Sequence, residues 1–236
     1  MINLASLQRH TTRSHTAPNQ DSSTAAIEYV PTNVRVCKRL FDIVTALVLL
    51  LATLPIWPLV MLAIKLESKG PIFFSQVRIG LANKNASSLF KMVKFRTMVQ
   101  NAESATGPVW ASKNDARITK VGKFMRKTRI DELPQLFNVL KGEMSMIGPR
   151  PERPGIMGKL ENQIPLFNER TYGVLPGITG LAQVYQGYDE TIEDSRNKLG
   201  YDLSYSVALT SMKQWLFMDA LIVWKTIVVV IMGRGQ

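Results

Sequence analysis

From Ile43 to Ile64 the chain reads "IVTALVLLLATLPIWPLVMLAI" without one charged side chain, and no other feature narrows the fold as much. About 20 apolar residues are enough to cross a bilayer. Two details argue against a straight crossing. Pro55 and Pro58 fall inside the run, where each removes a helix hydrogen bond and presses on the preceding turn. Both flanks are basic, with Lys38 and Arg39 before the run and Lys65 after it, so the positive-inside bias sets no direction. A helix that enters, bends at Pro55 and Pro58 and leaves on the same side accounts for both details; a straight span and a buried core helix are the competing readings. The run starts too far from Met1 for a cleaved signal peptide.

A second apolar stretch, "MKQWLFMDALIVWKTIVVVIM" at 212–232, is interrupted by Lys213, Asp219 and Lys225. Trp215, Phe217 and Trp224 suit a headgroup zone, where an amphipathic ring is partly solvated. The alternative is a core helix followed by a strand, "TIVVVIM".

Residues 1–34 are rich in Ser, Thr, Ala, Asn and Gln and show no apolar period, which is the composition of a disordered arm. Its Arg9, Arg13, Asp21 and Glu28 cancel, so the formal charge of +11 belongs to residues 35–236. That excess suits nucleic acid, lipid headgroups or phosphorylated substrates. A single cysteine, Cys37, excludes an intramolecular disulfide. Both histidines, His10 and His15, lie in the arm, so a Ser-His-Asp triad, a Cys-His pair and a His-bearing zinc site are unavailable to the rest of the chain. Neither a GxxxxGK[ST] loop nor a GxGxxG turn opening a helix is present.

Between the apolar stretches, "PIFFSQVRI" and "SLFKMVKFRTM" alternate like two strands joined by the polar "ANKNASS", and residues 99–116 read as a polar loop. Next, "ARITKVGKFMRKTR" places Ile118, Val121 and Met125 on one helical face and Lys120, Lys123 and Lys127 on another. In the following helix Leu133, Leu136, Phe137 and Leu140 form the apolar stripe, Pro134 sits in the first turn and Gly142 marks the stop. Asp131 is thereby expected at or next to the N-cap, where an acid also suits the helix dipole.

Charge makes that cap more than a cap. Six basic residues between Arg117 and Arg129 come without an acid, and "IGPRPERPG" brings in Arg150 and Arg153 on a proline-stiffened loop. A carboxylate among guanidinium groups is expected to have a lowered pKa and to stay ionised, as a nucleophile or metal ligand must. The arginines can clamp a diphosphate, and Asp131 with Glu132 offers Mg²⁺ oxygen ligands to add to substrate phosphates. Lys94 and Arg96 in "KFRTM" either reach the diphosphate or form an exposed strand edge. Gln183 either faces a nucleobase or holds its own loop, and Asp202 and Tyr205 read as structural.

The ordered set "KRLFD" (38–42), the proline-broken helix, "FFSQVRIG" (73–80), "FKMVKFRTM" (90–98), "RKTRIDELPQLFNVLKGEMSMIGPRP" (126–151), "PGITGLAQV" (176–184) and "YDLSY" (201–205) resembles the bacterial sugar transferases, the monotopic phosphoglycosyl transferases. That resemblance implies transfer of a sugar 1-phosphate from a UDP-sugar to undecaprenyl phosphate with release of UMP. It implies Asp131 as nucleophile, Glu132 and Asp131 at Mg²⁺, and Arg126 and Arg150 on phosphates. The implied fold is α/β, mainly helical with short strands: a disordered arm (1–34), a re-entrant anchor (35–66), and a cytoplasmic catalytic core (67–236) with amphipathic interfacial helices and a membrane-associated C-terminal helix. It places such a chain on the cytoplasmic face of a bacterial inner membrane, in the family's minimal form, with lipids but no nucleic acid as partners and a homo-oligomer open to it. Two positions depart from the pattern. Leu54 stands where a serine often precedes the proline, which leaves Thr53 or Pro58 to support the bend, and "YQGYDET" (185–191) replaces a Gly-Arg pair, which leaves the sugar open. Without the resemblance, the charge alone also suits a membrane-tethered nucleic-acid or headgroup binder without turnover, or a phosphatase on lipid pyrophosphates.

Overall fold

The computed structural model describes residues 29–83, 86–102, 115–186 and 191–233. The first 28 residues of the expected arm and most of the 99–116 loop lie outside the described residues. Residues 29–34, which composition placed in the arm, are part of the folded body: Tyr29 and Val30 pack on the core and helix α1 (Thr32–Thr53) starts before residue 34.

Helix α1 buries Val34, Lys38, Asp42 and Ala46, one residue per turn, and leaves Val44, Val48 and Leu51 exposed on other sides. It ends in a 3-10 turn, Leu54–Ile56, that leads into α2 (Trp57–Glu67). Pro55 has no N–H for the Leu51 carbonyl, while Leu54 N still reaches Leu50 and Trp57 N turns back to Leu54. The Thr53 hydroxyl donates to the Leu49 carbonyl at 2.7 Å, a back-bond that favours bending and takes the role left open by Leu54. Pro58 stands at the start of α2, where its missing N–H costs nothing.

Both α1 and α2 rest on the same body. Arg39 of α1 donates to the carbonyls of Val139 and Leu140 at 2.6 and 2.8 Å, and Lys38 pairs with Asp219 at 3.3 Å. On α2, Trp57 meets Phe95 and Phe137 edge-on at 5.1 and 5.9 Å. The Glu67 carboxylate accepts from the backbone N–H groups of Lys120 and Val121 at 2.7 and 2.8 Å, which holds α2 to the start of α3 (Lys120–Thr128).

Strands β1 (Phe73–Ala82) and β2 (Ser87–Phe95) form the expected antiparallel hairpin, in register from Phe73 opposite Phe95 to Ile79 opposite Leu89 and irregular between Ile79 and Ala82. After α3 the chain reverses at Arg129, which has φ 60°, into a 3-10 turn, Ile130–Gln135, and then α4 (Leu136–Lys141). Here the structure corrects the expected stripe. The helix begins at Leu136, since Pro134 interrupts the hydrogen-bond pattern before it, and Leu136 with Val139 fills the core while Phe137 faces outward. Gly142 stops the helix at φ +82°, as the glycine there implied.

The two short strands β3 (Ser145–Ile147) and β4 (Gly177–Thr179) pair in parallel. Gly177 is required by closeness, because a Cβ would collide with the backbone of Gly148. Around this pair lie α5 (Pro154–Glu161), a 3-10 turn (Phe167–Thr171), α6 (Leu181–Tyr185), α7 (Ile192–Ala208) and α8 (Met212–Ile231). The chain is therefore mainly helical with short strands, as expected. The strand alternative for "TIVVVIM" is overturned, because α8 is continuous to Ile231. Trp215 is not in a headgroup position either. It is buried and donates to Asp219 at 2.7 Å, beside Tyr205, which donates to the other Asp219 oxygen at 2.8 Å. Asp219, an apparent interruption of an apolar run, is the anchor between α8, α7 and α1.

Helices Thr32–Glu67 and Met212–Ile231 are long and apolar enough to cross a membrane. Only 11% and 17% of their most apolar windows is buried, which overturns the core-helix reading of both.

Candidate active site

A cavity of about 640 Å³ opens between the hairpin, the 3-10 turn after α3 and the loop after β3. Asp131 forms part of its wall, among Arg78, Arg126, Arg129, Arg150 and Arg153. The αL reversal at Arg129 and the proline-limited turn place Asp131 and Glu132 inward, at 6% and 5% exposure. Asp131 therefore does not stand at the N-cap of an α-helix. It lies inside the 3-10 turn, with Arg129 in the flanking position.

The two acids have opposite surroundings. Glu132 Oε1 meets Lys94 Nζ at 2.9 Å and Arg150 Nη2 at 3.0 Å, and its Oε2 lies 3.6 Å from Arg129 Nη1. Burial works against its charge, but those cations together hold its pKa far below the usual carboxylate range. Asp131 Oδ1 is buried and has no hydrogen-bond partner among the described residues. Burial raises its pKa to about 6 and the neighbouring Glu132 charge adds to the rise, against the pull of Lys94, Arg126 and Arg129. The expectation of a lowered pKa is thus corrected for Asp131 and holds for Glu132. The physical reason is that Glu132 has already gathered three of the cations.

The other expected site residues divide. Arg126 lines the cavity and is steadied by its Nε, which donates to Thr97 Oγ1 at 3.0 Å. Arg150 and Lys94 line it while paired to Glu132. Arg96 also lines it, but its guanidinium donates to the carbonyls of Ser68 and Lys69 at 2.7 and 2.9 Å, pinning β2 to the chain after α2. Gln183 holds its own loop through Ile178 O at 2.9 Å, and its buried Oε1 at the cavity wall has no hydrogen-bond partner among the described residues.

Sequence reasoning passed over Arg78, Glu152 and Lys198, all of which line the cavity. Arg78 donates to Pro151 O at 3.0 Å, and burial lowers its pKa to about 10, which leaves it charged at neutral pH. Glu152 pairs with Lys198 at 3.1 Å, and despite its burial Lys198, Arg170 and Arg78 lower its pKa to about 2. The arginine in "QVRIG" was the one available signal for this group, since Lys198 is remote in sequence.

Among the described residues, no three His, Cys, Asp or Glu side chains gather as a metal site. The orphaned Asp131 Oδ1 fits an ion held by one carboxylate and completed by substrate phosphate oxygens, which is a usual manner of binding Mg²⁺. Glu132, expected as a second ligand, has both oxygens facing cations.

A proline-broken apolar helix beside an arginine-walled cavity with a paired acid matches the resemblance seen in the sequence. The model of the bacterial sugar transferase family matches residues 33–233, and the chain belongs to that family. The UDP-N-acetylgalactosamine-undecaprenyl-phosphate N-acetylgalactosaminephosphotransferase of Aeromonas hydrophila is 43% identical over 84% of this chain and 44% of its own length. The UDP-glucose:undecaprenyl-phosphate glucose-1-phosphate transferase of Klebsiella pneumoniae is 43% identical over 72% of this chain and 36% of its own. A protein of the same name from Caulobacter vibrioides is 40% identical over 80% of this chain and 68% of its own. The chain thus spans less than half the length of the first two relatives.

Proposed function

We propose that this chain transfers a sugar 1-phosphate from a UDP-sugar to undecaprenyl phosphate, the initiating step of a polysaccharide such as an exopolysaccharide, capsule or O-antigen. The observation that carries the reading is Asp131, an inward carboxyl with an unpartnered oxygen on the wall of a cavity lined by arginines. Asp131 attacks the β-phosphorus of the donor, the bond from that phosphorus to the bridging oxygen breaks, and UMP leaves with the bridging oxygen. A phosphate oxygen of undecaprenyl phosphate then attacks the same phosphorus and displaces the Asp131 carboxylate, giving undecaprenyl-diphosphate-sugar. Arg126 and Arg150 hold the diphosphate, and their fixed charges favour the transition state because they need not reorganise. Mg²⁺, when bound at Asp131 and the donor phosphates, supplies further neutralisation of charge on the diphosphate. Relatives named for N-acetylgalactosamine and for glucose support the class of donor and leave its sugar open.

The membrane placement belongs to the same proposal. Leu51, Leu59 and Leu66 on the bent unit, with Trp224 and Ile231 on α8, are exposed apolar groups of the kind a lipid environment covers. Because α1 and α2 both hold to one body, the re-entrant anchor is favoured over a span, with the cavity on the cytoplasmic side. Labelling Cys37 and a cysteine introduced at Lys69 with an impermeant reagent tests this: reaction from opposite faces overturns it.

The reaction is tested with the full chain in detergent, undecaprenyl phosphate and Mg²⁺, against UDP-glucose and UDP-N-acetylgalactosamine. UMP release dependent on the lipid phosphate is expected with one of them. Inorganic phosphate from a lipid pyrophosphate, or binding without UMP release, would overturn the reading.

A further inference from the structure

The loop that carries Arg150, "GPRPERP" from Gly148 to Pro154, has three residues without an N–H: Pro149, Pro151 and Pro154. Gly148 N still donates to Thr179 O of β4 at 2.9 Å, but beyond it the prolines leave few N–H groups to give, so the carbonyls are the main handles for the rest of the protein. All four carbonyls from 149 to 152 are taken. Gly177 N of β4 donates to Pro149 O at 2.9 Å, and Ile79 N of β1 donates to Glu152 O at 2.9 Å. The two in between receive side chains: Arg170 donates to Arg150 O, and Arg78 donates to Pro151 O at 3.0 Å.

Arg170 is the unusual member. Its side chain is completely buried, it stacks on Phe167 at 4.9 Å, and its Nη1 lies 3.4 Å from Asp202 Oδ2, which is 1% exposed. A fully buried ion pair is poor evidence for stability, because hydrophobic residues of similar volume often serve as well or better. Its position is informative instead. Lys198, Asp202 and Tyr205 share one buried face of α7 and meet the same stretch of chain: Lys198 holds the Glu152 carboxylate at 3.1 Å, Asp202 holds Arg170, and the Tyr205 hydroxyl lies 3.3 Å from Ile147 O. At the free end of this chain of contacts, the Arg150 side chain reaches the cavity and Glu132 at 3.0 Å.

We propose that Arg170, held by Asp202, is a positioning residue for the reaction: it fixes Arg150 through the Arg150 backbone carbonyl, so that α7 sets the geometry of the phosphate clamp. The inference rests on the proposed function for the role of Arg150, and on the contacts alone for that of Arg170. Its signature is dependence on the Arg150 side chain. Removing the charge that faces Arg170 at 3.4 Å raises the KM for UDP-sugar about 10-fold in Asp202→Asn, with kcat altered less than about 3-fold.

The test is a double-mutant cycle of wild type, Asp202→Asn, Arg150→Ala and the double variant, read as kcat and KM for UMP release and as UDP affinity by calorimetry. In the Arg150→Ala background, Asp202→Asn is expected to change KM and UDP affinity by less than about 2-fold, because the group being positioned is gone. An equal factor in both backgrounds, or a loss confined to kcat, overturns the proposal. If Asp202→Asn does not fold, Arg170→Lys keeps the charge but not the forked donor, and the same coupling to Arg150→Ala is required of it. Absence of UMP release by the wild type would count against the reaction only, since UDP affinity across the four proteins still reads the positioning.

Discussion

The cavity and the outer faces of α1, α2 and α8 treat polarity in opposite ways. Inside, Glu132 is paired with Lys94, Arg129 and Arg150, Glu152 with Lys198 and Arg170 with Asp202, and the acids are buried, whereas outside, Leu51, Leu59, Leu66 and Trp224 are exposed. A soluble enzyme arranges these the other way round, with most charges in water and most large apolar groups within. The contrast teaches that the arginine-lined cavity suits an anionic ligand while the exposed apolar faces suit a lipid solvent.

The strongest way to break the cavity side is Asp131→Asn, which removes the carboxylate proposed as nucleophile and keeps a side chain of the same size. UMP release is expected to fall by at least about 10³-fold, and full turnover would reject the assigned role. Glu132→Gln comes next. It leaves Lys94, Arg129 and Arg150 around a neutral amide, and stranding buried charges costs about 3–5 kcal/mol, read as a lowered unfolding temperature together with lost activity.

On the opposite side, Leu51→Arg puts a charge on the exposed face at the bend. Near a bilayer centre that costs about 2.5–3.5 kcal/mol, so a carbonate wash is expected to release more of this variant than of wild type. Retention equal to wild type would remove Leu51 from the lipid-facing surface.

The smallest effect sharpens the contrast within the acid pair. With its pKa raised to about 6, Asp131 gains the ionised form that the proposed attack requires as pH rises, so kcat/KM is expected to climb about tenfold per unit below pH 6 and to level off above it. The sign for stability is opposite. The folded protein binds this proton more tightly than the unfolded chain does, so the contribution of Asp131 is complete below an ordinary carboxylate pKa of about 4 and is lost as pH rises through about 6. A rate profile flat from pH 5 to 8 would show that Glu132 does not leave Asp131 short of cations.

Local patterns that act over a few residues were legible in advance. Pro55 and Pro58 foretold the break, alternation in "SLFKMVKF" foretold β2, and Gly142 foretold the end of α4. The cluster of acids and arginines at 126–153 pointed to the cavity for the same reason, since its members are close in sequence. Less legible was Arg170, which looks like an ordinary surface charge until the fold buries it against Asp202, 32 residues away and itself read as structural. Asp219 misled in the same way, as a break in an apolar run that is in fact held by Lys38, Trp215 and Tyr205.

By itself the sequence determined that a charge-free apolar run loses regular helix hydrogen bonds near Pro55, that chemistry in the described core must do without histidine, and that Asp131 and Glu132 stand among cations. Tertiary structure decided how those cations are shared. Lys94, Arg129 and Arg150 come from a strand, a turn and a loop, and they converge on Glu132 rather than Asp131 because the 3-10 turn aims the two adjacent side chains differently. Electrostatic energy depends on distance through space, and the order of residues along the chain does not contain that distance.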